Sequence, residues 1–357
     1  MKRRINFLTL VIILAIIVSG CKKENIENFN TGFSHGIFIT NEGAFGGGNG
    51  SLSYFDPDSL KIINNLFGTV NGRSPGDLLQ SFGICGDKGF LVVNGSKKVE
   101  VVDMLTFMSI GVIENLSYPR YIIEAGLNQA YITNGNMAGT VYVVNTENLT
   151  ITDSIQVGKG PEKMLKFENN IYVANSGGWI DDNSVSVINI NTREIIKTIE
   201  VGDRPSDMII DANNNIWVLC RGKQVYNSSW TEIIEETDSK LVVINTNDNT
   251  IEKSIVVGQK GDMNPFIRHL SICNNGNTIL FDEFDGIYSM EINENIAPTS
   301  PLISKIFHGM ESDNNDVIYC FQVKDYVTDG TMFRYSVDGI LLDSIKVGIG
   351  PNGAYFN

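Results

Sequence analysis

The sequence predicts an all-β protein, a seven-bladed β-propeller closed by N-terminal strands plus the C-terminal strand. Three observations predict this fold: a repeat of about 44 residues, four strand-like segments in each full period, and incomplete periods at the two ends. A period of this length that holds four short strands is typical of a propeller blade. No stretch after the first 20 residues shows convincing helical periodicity.

The repeat is marked by a strand that ends in Val-Gly, a short turn, and a proline that begins the next strand. The clearest copies span residues 157–161, 201–205 and 347–351. With looser copies included, the repeat prolines are Pro75, Pro119, Pro161, Pro205, Pro265 and Pro351, separated by 44, 42, 44, 60 and 86 residues. We interpret the spacing of 60 as one period with an insertion, and that of 86 as two periods with an unmarked start near 308–309.

One period shows the four strands most clearly. The predicted segments are 164–167, 171–174, 184–190 and 195–201. They are rich in β-branched and aromatic residues and are bounded by Asn, Gly and Asp, as strands and turns require.

The two ends of the chain supply one shared blade. Strands are predicted at 37–40, 51–55 and 61–67, and the final segment 350–356 is a lone innermost strand. Joining them would lock the ring and remove its most exposed edges. This count gives seven blades, and six or eight would require another interpretation of 265–351.

The chain divides into a predicted lipoprotein signal peptide (1–20), a lipidated tether (21–34) and the propeller (35–357). The start is basic, residues 7–18 are apolar, and Cys21 directly follows a small-residue cleavage site. This segment resembles a bacterial lipoprotein signal, which implies lipidation of Cys21. The alternative is an ordinary signal peptide with a chance cysteine. Lys22, where an aspartate would retain the protein at the inner membrane, favours a lipid-anchored position in the outer membrane. We expect the protein at the cell surface, although a periplasmic orientation stays open.

The charge and the cysteines limit the classes of partner. A net charge of −14 repels nucleic acid and anionic lipid, so we expect membrane contact through the lipid anchor only and no nucleic-acid partner. Cys85, Cys220, Cys273 and Cys320 include no CxxC pair, and most lie in apolar runs. We interpret them as buried free thiols, although an even number of cysteines in an exported protein permits disulfides.

Polar residues stand at matched positions where the second strand of each period ends. They are Asn41, Asn94, Asn134, Asn175, Arg221, Asp282 and Gln322. We take the four asparagines and Arg221 as candidate ligand-binding residues around a central funnel. The alternative is a local role, because asparagine tolerates turn geometry and caps hairpins.

The loops that follow these positions differ in length and carry aromatic residues. The candidates are Phe45 in loop 42–50, Trp179 in loop 176–183, Tyr226 and Trp230 in loop 222–238, and Tyr326 in loop 323–329. Exposed aromatic side chains on polar loops indicate a binding surface. The alternative is that the rings pack against their own loops.

Catalysis has little support in the sequence. The histidines, His35, His269 and His308, lie in no HExxH pattern, and no serine lies in GxSxG. We therefore predict no catalytic residue, no metal ligand and no cofactor. The acidic group Asp282, Glu283 and Asp285 leaves a metal-dependent lactonase-like enzyme as an alternative.

Several stretches of the chain resemble known families. Residues 171–175 (Ile-Tyr-Val-Ala-Asn) and 185–189 resemble the Tyr-Val-Thr-Asn repeat family of seven-bladed propellers. Residues 37–56, 67–77 and 347–356 resemble the DUF5074 lipoproteins of gut Gram-negative bacteria. Members of that family include surface proteins that capture cobalamin above a TonB-dependent outer-membrane transporter. The resemblance places no cobalamin-contact motif on particular residues.

The leading hypothesis is a non-enzymatic surface lipoprotein. It would capture cobalamin or a related corrinoid and deliver it to a TonB-dependent outer-membrane transporter. The alternatives are a protein-interaction or adhesion propeller without a small ligand, and the lactonase-like enzyme.

Overall fold

The computed structural model describes Phe33, residues 35–258 and residues 269–357. The signal peptide, Cys21, nearly all of the tether and Pro265 lie outside the described residues, so the statements about them remain predictions. In the part that is described, no helix has the length and apolar character needed to cross a membrane.

The strands follow one another along the whole described chain. The first group is β1 (Ile37–Asn41), β2 (Ser51–Asp56), β3 (Lys61–Ile63), helix α1 (Leu66–Asn71), β4 (Leu79–Cys85), β5 (Lys88–Val93), β6 (Lys98–Asp103) and β7 (Ser109–Ile113). The second is β8 (Pro119–Gly126), β9 (Gln129–Asn134), β10 (Thr140–Asn145), β11 (Thr150–Gln156), β12 (Pro161–Phe167), β13 (Asn170–Asn175), β14 (Ser184–Asn189) and β15 (Ile195–Glu200). The third is β16 (Pro205–Ile210), β17 (Ile216–Cys220), β18 (Gln224–Tyr226), β19 (Ile233–Glu236), β20 (Lys240–Asn245) and β21 (Thr250–Val256). The last is β22 (Leu270–Cys273), a 3-10 turn (Asn274–Gly276), β23 (Thr278–Glu283), β24 (Gly286–Glu291), β25 (Gly309–Ser312), β26 (Val317–Gln322), β27 (Thr331–Ser336), β28 (Leu341–Lys346) and β29 (Pro351–Phe356).

These strands form seven antiparallel blades. Blades 1 to 3 are β4–β7, β8–β11 and β12–β15; blade 4 is β16, β17, β20 and β21; blade 5 is β22–β24; and blade 6 is β25–β28. The closing blade joins β29 to β1, β2 and β3. Each innermost strand contacts the innermost strand of the next blade, and β29 contacts β4, which completes the ring. The predicted propeller and its mode of closure are confirmed.

The core lies between the blades. The middle strands are buried on both faces because each blade packs between two neighbours, whereas the outer strands β15 and β28 are largely exposed. Apolar clusters fill six of the interfaces. Aromatic rings fill the seventh, between the closing blade and blade 1, where the rings of Phe38 and Phe82 lie 4.7 Å apart and Phe107 stacks on Phe38.

The recurring Val-Gly pair has a steric cause. A Cβ atom on Gly158 would lie 2.6 Å from the side chain of Asn175, and one on Gly348 would lie 2.8 Å from that of Asn41. Contacts this short do not occur at real Cβ atoms, so a larger residue would force the strand ends apart. The glycine of one blade edge and the asparagine of the next second strand are therefore parts of one packing arrangement.

The structure differs from the predicted elements in two places. The strand predicted at 61–67 ends at Ile63, because Asn65 adopts a left-handed conformation (φ 51°) and starts α1, where Leu66 and Phe67 are buried. Blade 5 has three strands in the described residues, with only an isolated bridge from Ile287 to Ile303 beyond them. The insertion predicted within blade 4 is the hairpin β18–β19.

The four cysteines of the propeller are buried free thiols, as predicted. Burial raises the pKa of Cys85, Cys220 and Cys273 to about 12, and it raises the pKa of Cys320 as well. The closed ring therefore depends on strand pairing and packing rather than on a disulfide among these residues.

The closing strand offers a test of how the ring is held. Ala354 of β29 pairs with Ile39, is 4% exposed and packs in a cluster with Tyr319 and Phe321. We expect Ala354→Asp to lower the free energy of unfolding by about 3 kcal/mol or more, because it buries an unpaired charge. Urea unfolding followed by circular dichroism measures this.

The control is Asn357→Asp, which adds the same charge at an exposed end of the chain. It should change the free energy of unfolding by less than about 1 kcal/mol. Equal effects of the two substitutions would show that β29 does not hold the ring closed.

Candidate functional site

A cavity of about 410 Å³ lies where the innermost strands meet. Every blade contributes to its lining, with Gln80, Tyr121, Lys163, Asp207, His269 and Glu311 from blades 1 to 6 and Tyr355 from the closing blade. We call it the axial cavity. Trp179 and Tyr326, from loops that follow second strands, also line the axial cavity. We therefore place the mouth of the cavity on the side of these loops.

Irregular strand starts turn pairs of neighbouring residues toward this cavity. Arg120 and Tyr121 are consecutive, as are Glu162 and Lys163, yet all four line it. A regular strand sends consecutive side chains to opposite faces. The pairing of β8 with β9 and of β12 with β13 shifts register directly after the starting proline, and such bulges re-aim side chains.

An ammonium group between two carboxylates spans the axis. Lys163 Nζ lies 3.2 Å from Asp207 Oδ1 and 3.2 Å from Glu311 Oε1. These residues come from blades 3, 4 and 6, so the contact with Glu311 crosses the ring. We call Lys163, Asp207 and Glu311 the axial ion triad.

The triad is electrostatically unequal. Burial alone would lower the pKa of Lys163, but the charges of Asp207 and Glu311 outweigh it and raise that pKa well above its usual value. Burial, assisted by the charge of Asp207, raises the pKa of Glu311 above its usual value. Lys163 thus stays charged, and Glu311 takes up a proton at a higher pH than an ordinary glutamate does.

Arg120 forms a second charged group of the cavity. Its Nε donates to Glu162 Oε2 at 2.8 Å, and its guanidinium also donates to the Gln80 side chain. The guanidinium carbon lies 5.6 Å from the centre of the Tyr118 ring. Arg120 is therefore held on three sides by residues of blades 1 to 3.

Glu42 and His308 form a third group, at the junction of the closing blade and blade 6. Glu42 Oε2 lies 3.5 Å from His308 Nε2, and Oε1 accepts from Asn352 Nδ2 at 3.1 Å. Burial alone would raise the pKa of Glu42, but the hydrogen bond and charge of His308, together with Asn352 and Arg120, lower it below its usual value. Glu42 is thus an anion at neutral pH.

His269 is the lining residue of blade 5. Its Nδ1 lies 2.6 Å from Asp282 Oδ2, and its backbone N–H donates to Asp282 Oδ1 at 3.0 Å. Asp285 instead accepts from the Tyr288 hydroxyl at 3.0 Å. Within the described residues, no three or more His, Cys, Asp or Glu side chains are placed to hold a metal ion.

Three of the predicted residues line the axial cavity: Trp179, Arg221 and Tyr326. Trp179 follows Gly177 and Gly178, which adopt φ of 93° and 66°. A Cβ on Gly177 would lie 1.8 Å from the Ile180 carbonyl oxygen, so the turn that presents Trp179 requires glycine there. Asp181 and Asp182 fix this loop, since Asp181 pairs with Arg204 at 2.7 Å and Asp182 accepts from the Lys159 N–H at 2.8 Å.

Tyr326 is held in an unusual conformation. Its φ is 54°, which is rare for a bulky residue, and Asp325 anchors the turn by accepting from the N–H groups of Val327 and Thr328. The Tyr326 ring meets His308 edge to face, with ring centres 5.8 Å apart. The loop therefore brings Tyr326 to the group formed by Glu42 and His308.

The other predicted aromatic residues do not line the axial cavity. Phe45 is 88% exposed on its glycine-rich loop. Tyr226 and Trp230 stack on each other at 5.6 Å on the β18–β19 hairpin, and Trp230 remains 79% exposed. Phe45, Tyr226 and Trp230 are therefore not among the residues that line the cavity.

The four predicted asparagines are buried inside the blades and are not among the lining residues. Asn41 donates to Ser53 Oγ at 3.0 Å, and Asn175 donates to Ser184 and Ser186 Oγ at 3.1 and 3.0 Å. Asn94 donates to the Pro119 carbonyl, and Asn134 bonds with Ser117. Their amides join strands and blades, a role other than the turn geometry and hairpin capping of the alternative.

Sequence reasoning missed most of the charged lining. Arg120, Glu162, Lys163, Asp207 and Asn352 all stand one or two positions after a repeat proline. The sequence signal that could have identified them is a charged or amide residue at the start of an innermost strand. A ring centre filled only by close packing would need small or apolar residues at these positions. His308, Glu311 and Glu42 carried no such mark.

Comparison with known proteins gives a family and a fold. Residues 35–324 match a family described as a domain of unknown function, DUF5074. No curated protein matches the sequence.

Solved structures share the architecture. A quinoprotein alcohol dehydrogenase-like protein of Bacteroides thetaiotaomicron is 14% identical, with a TM-score of 0.66 over 92% of this chain and 79% of that one. A dihydro-haem d1 dehydrogenase is 11% identical, with a TM-score of 0.57 over 92% and 76%. The hydrazine synthase of Kuenenia stuttgartiensis is 13% identical, with a TM-score of 0.53 over 74% and 85%. At these identities the similarity shows the fold alone.

The axial ion triad predicts an asymmetric response to mutation. We expect Lys163→Met to lower the free energy of unfolding at pH 7 by about 3 kcal/mol, because it leaves two buried carboxylates unpaired. The loss should shrink at acid pH, where Glu311 is protonated, and Lys163→Met/Glu311→Gln should recover part of it. Urea unfolding at pH 7 and pH 4.5 measures both effects.

The matched control is Lys88→Met, which removes a lysine paired with the exposed Asp87. It should cost less than about 1 kcal/mol at either pH. If Lys163→Met costs no more than this control, the triad does not stabilise the ring.

Proposed function

This chain belongs to the DUF5074 family, and we propose that it is a non-enzymatic surface lipoprotein that captures a ligand, cobalamin or a related corrinoid, in the axial cavity. In this proposal Cys21 carries the lipid anchor in the outer membrane, and a TonB-dependent transporter receives the ligand. The observation that carries the proposal is the convergence of polar and aromatic side chains from all seven blades on one open cavity.

The size of the cavity supports binding of part of a large ligand. A volume of about 410 Å³ lies within the range of small-molecule sites. A corrinoid is larger than this, so one portion would enter and the ring system would lie over the mouth. Trp179, 80% exposed at that mouth, offers a flat apolar face for such a ring.

The rigidity of the lining supports binding as well. The axial ion triad, the Arg120 group and the Glu42–His308 pair each hold their members through contacts between different blades. A site whose polar groups are fixed in advance loses little conformational entropy when a ligand binds. This favours capture by a preformed funnel.

The test compares two equally exposed tryptophans. We expect the chain to bind cyanocobalamin, with heat of binding detectable by isothermal titration calorimetry at micromolar concentrations. Trp179→Ala should weaken binding about tenfold, because it removes the aromatic face at the mouth. Trp230→Ala removes an equally exposed tryptophan side chain that does not line the cavity, so it should leave the affinity for cyanocobalamin unchanged.

Absence of binding would overturn the proposed ligand. Equal weakening by both substitutions would place the ligand elsewhere on the surface.

A second function, protein binding, is favoured by the β18–β19 hairpin. Its side chains Tyr226, Trp230, Ile233 and Ile234 are all exposed although apolar. A patch of exposed apolar side chains on a protein surface indicates an interaction site. This is the surface that we assign to the transporter, or to another protein partner if no ligand is captured.

The hairpin can be tested separately from the cavity. We expect Trp230→Ala with Ile234→Asp to weaken binding to the purified cognate transporter about tenfold in surface plasmon resonance. Cyanocobalamin affinity should not change, and the exposed Leu127→Asp on blade 2 serves as control. An unaffected transporter affinity would remove the hairpin from the interface.

A further inference from the structure

Most charged side chains of the axial cavity lie in ion pairs with one another. From this pairing we infer that the part of the ligand that enters the cavity is an uncharged, carboxamide-like group. Anionic groups are excluded. The inference rests on the proposed function and deepens it, because it names the ligand chemistry of the same site.

The balance of charge disfavours an anion. Four carboxylates line the cavity, against the three permanent cations Arg120, Lys163 and Arg221. The whole chain adds a net charge of −14 around it. An incoming carboxylate or phosphate would therefore enter a region of excess negative charge and lose hydration.

Two of the three permanent cations of the lining, Lys163 and Arg120, are already engaged. Lys163 lies between two carboxylates, and Arg120 donates to Glu162 and Gln80. Sites that bind phosphate or carboxylate use guanidinium or ammonium groups whose charge the ligand itself neutralises. For Lys163 and Arg120, carboxylates of the protein supply that neutralisation. A ligand would therefore meet these two side chains through hydrogen bonds and not through charge neutralisation.

The axial ion triad offers a donor beside an acceptor. The Lys163 ammonium has three N–H groups; it donates to Glu311 Oε1, and its Nζ lies 3.2 Å from Asp207 Oδ1. Glu311 uses Oε1 for Lys163, and its Oε2 has no hydrogen bond within the described residues. A primary carboxamide matches this arrangement, because its carbonyl can accept from Lys163 while its NH₂ donates to Glu311. A carboxylate in the same place would set an oxygen against Glu311 Oε2.

This chemistry orients a corrinoid. The molecule carries neutral amide arms around its ring and a phosphate in its nucleotide tail. The amide periphery would enter the axial cavity, and the phosphate would remain outside the mouth.

The first experiment uses two isosteric small probes, propionamide and propionate. Of the three histidines, His269 and His308 line the cavity, whereas His35 lies outside it. Their Hε1 resonances in the full chain report binding at pH 7.5, with His35 as the internal control. We expect propionamide to shift the His269 and His308 signals saturably at millimolar concentration, and propionate to require at least about tenfold more.

Substitution of the acceptor tests the cause. Glu311→Gln should reduce the ratio of the dissociation constants for propionate and propionamide about tenfold, because it removes the repulsion between the Glu311 carboxylate and propionate. The exposed Glu114→Gln should leave the preference as it is. If Glu311→Gln does not fold, Asp207→Asn replaces it. Equal affinity for the two probes, tighter binding of propionate, or no shift with either probe would overturn the inference.

A second experiment separates this inference from the proposed function. Cyanocobalamin is compared with its monocarboxylic acids, in each of which one amide arm has become a carboxylate. At least one acid should bind about tenfold more weakly than cyanocobalamin. Equal binding of every acid would overturn the inference and leave the corrinoid proposal standing. No binding of cyanocobalamin, with the preference for propionamide retained, would overturn the corrinoid proposal alone.

Discussion

Closure of the ring by β29 is the constraint on which the rest of the structure depends. The last strand pairs with β1, the first strand, and contacts both β25 and β4, so the two ends of the chain hold one another in place. Without this pairing the apolar interface between the closing blade and blade 6, where Ala354 packs with Tyr319 and Phe321, would be an open edge. Because each blade packs only against its neighbours, the axial cavity exists as an enclosed site only when all seven are present.

The centre of the ring combines close packing with buried charge. Innermost strands that start with a proline and a register shift turn two consecutive residues toward the axis, as at Glu162 and Lys163. Burial of these groups is tolerated because partners come from other blades: Lys163 reaches Asp207 and Glu311, and Arg120 reaches Glu162. The same pairs that offset part of the cost of burial would also determine which groups a ligand meets.

The repeat explains why the fold carries functional variety in its loops. Positions that join strands, such as Gly158 against Asn175, recur because the packing recurs. The loops that follow the second strands are free of that requirement, so one presents Trp179 at the cavity mouth and another extends into the β18–β19 hairpin. The proposed ligand capture thus uses the axial cavity shared by all blades, whereas the proposed protein binding uses the hairpin of blade 4.

The amino-acid sequence by itself determined the propeller, its seven blades, its closing strand, the blade 4 insertion and the free thiols, since these follow from local periodicity and burial patterns. It also indicated three cavity residues, Trp179, Arg221 and Tyr326, because they stand at repeated loop positions. Only the tertiary structure decided that the amides of the asparagines bond within and between blades, and that Tyr226 and Trp230 are not among the residues that line the cavity. It alone joined Lys163 to Glu311, because residues 148 positions apart meet only after the ring has closed.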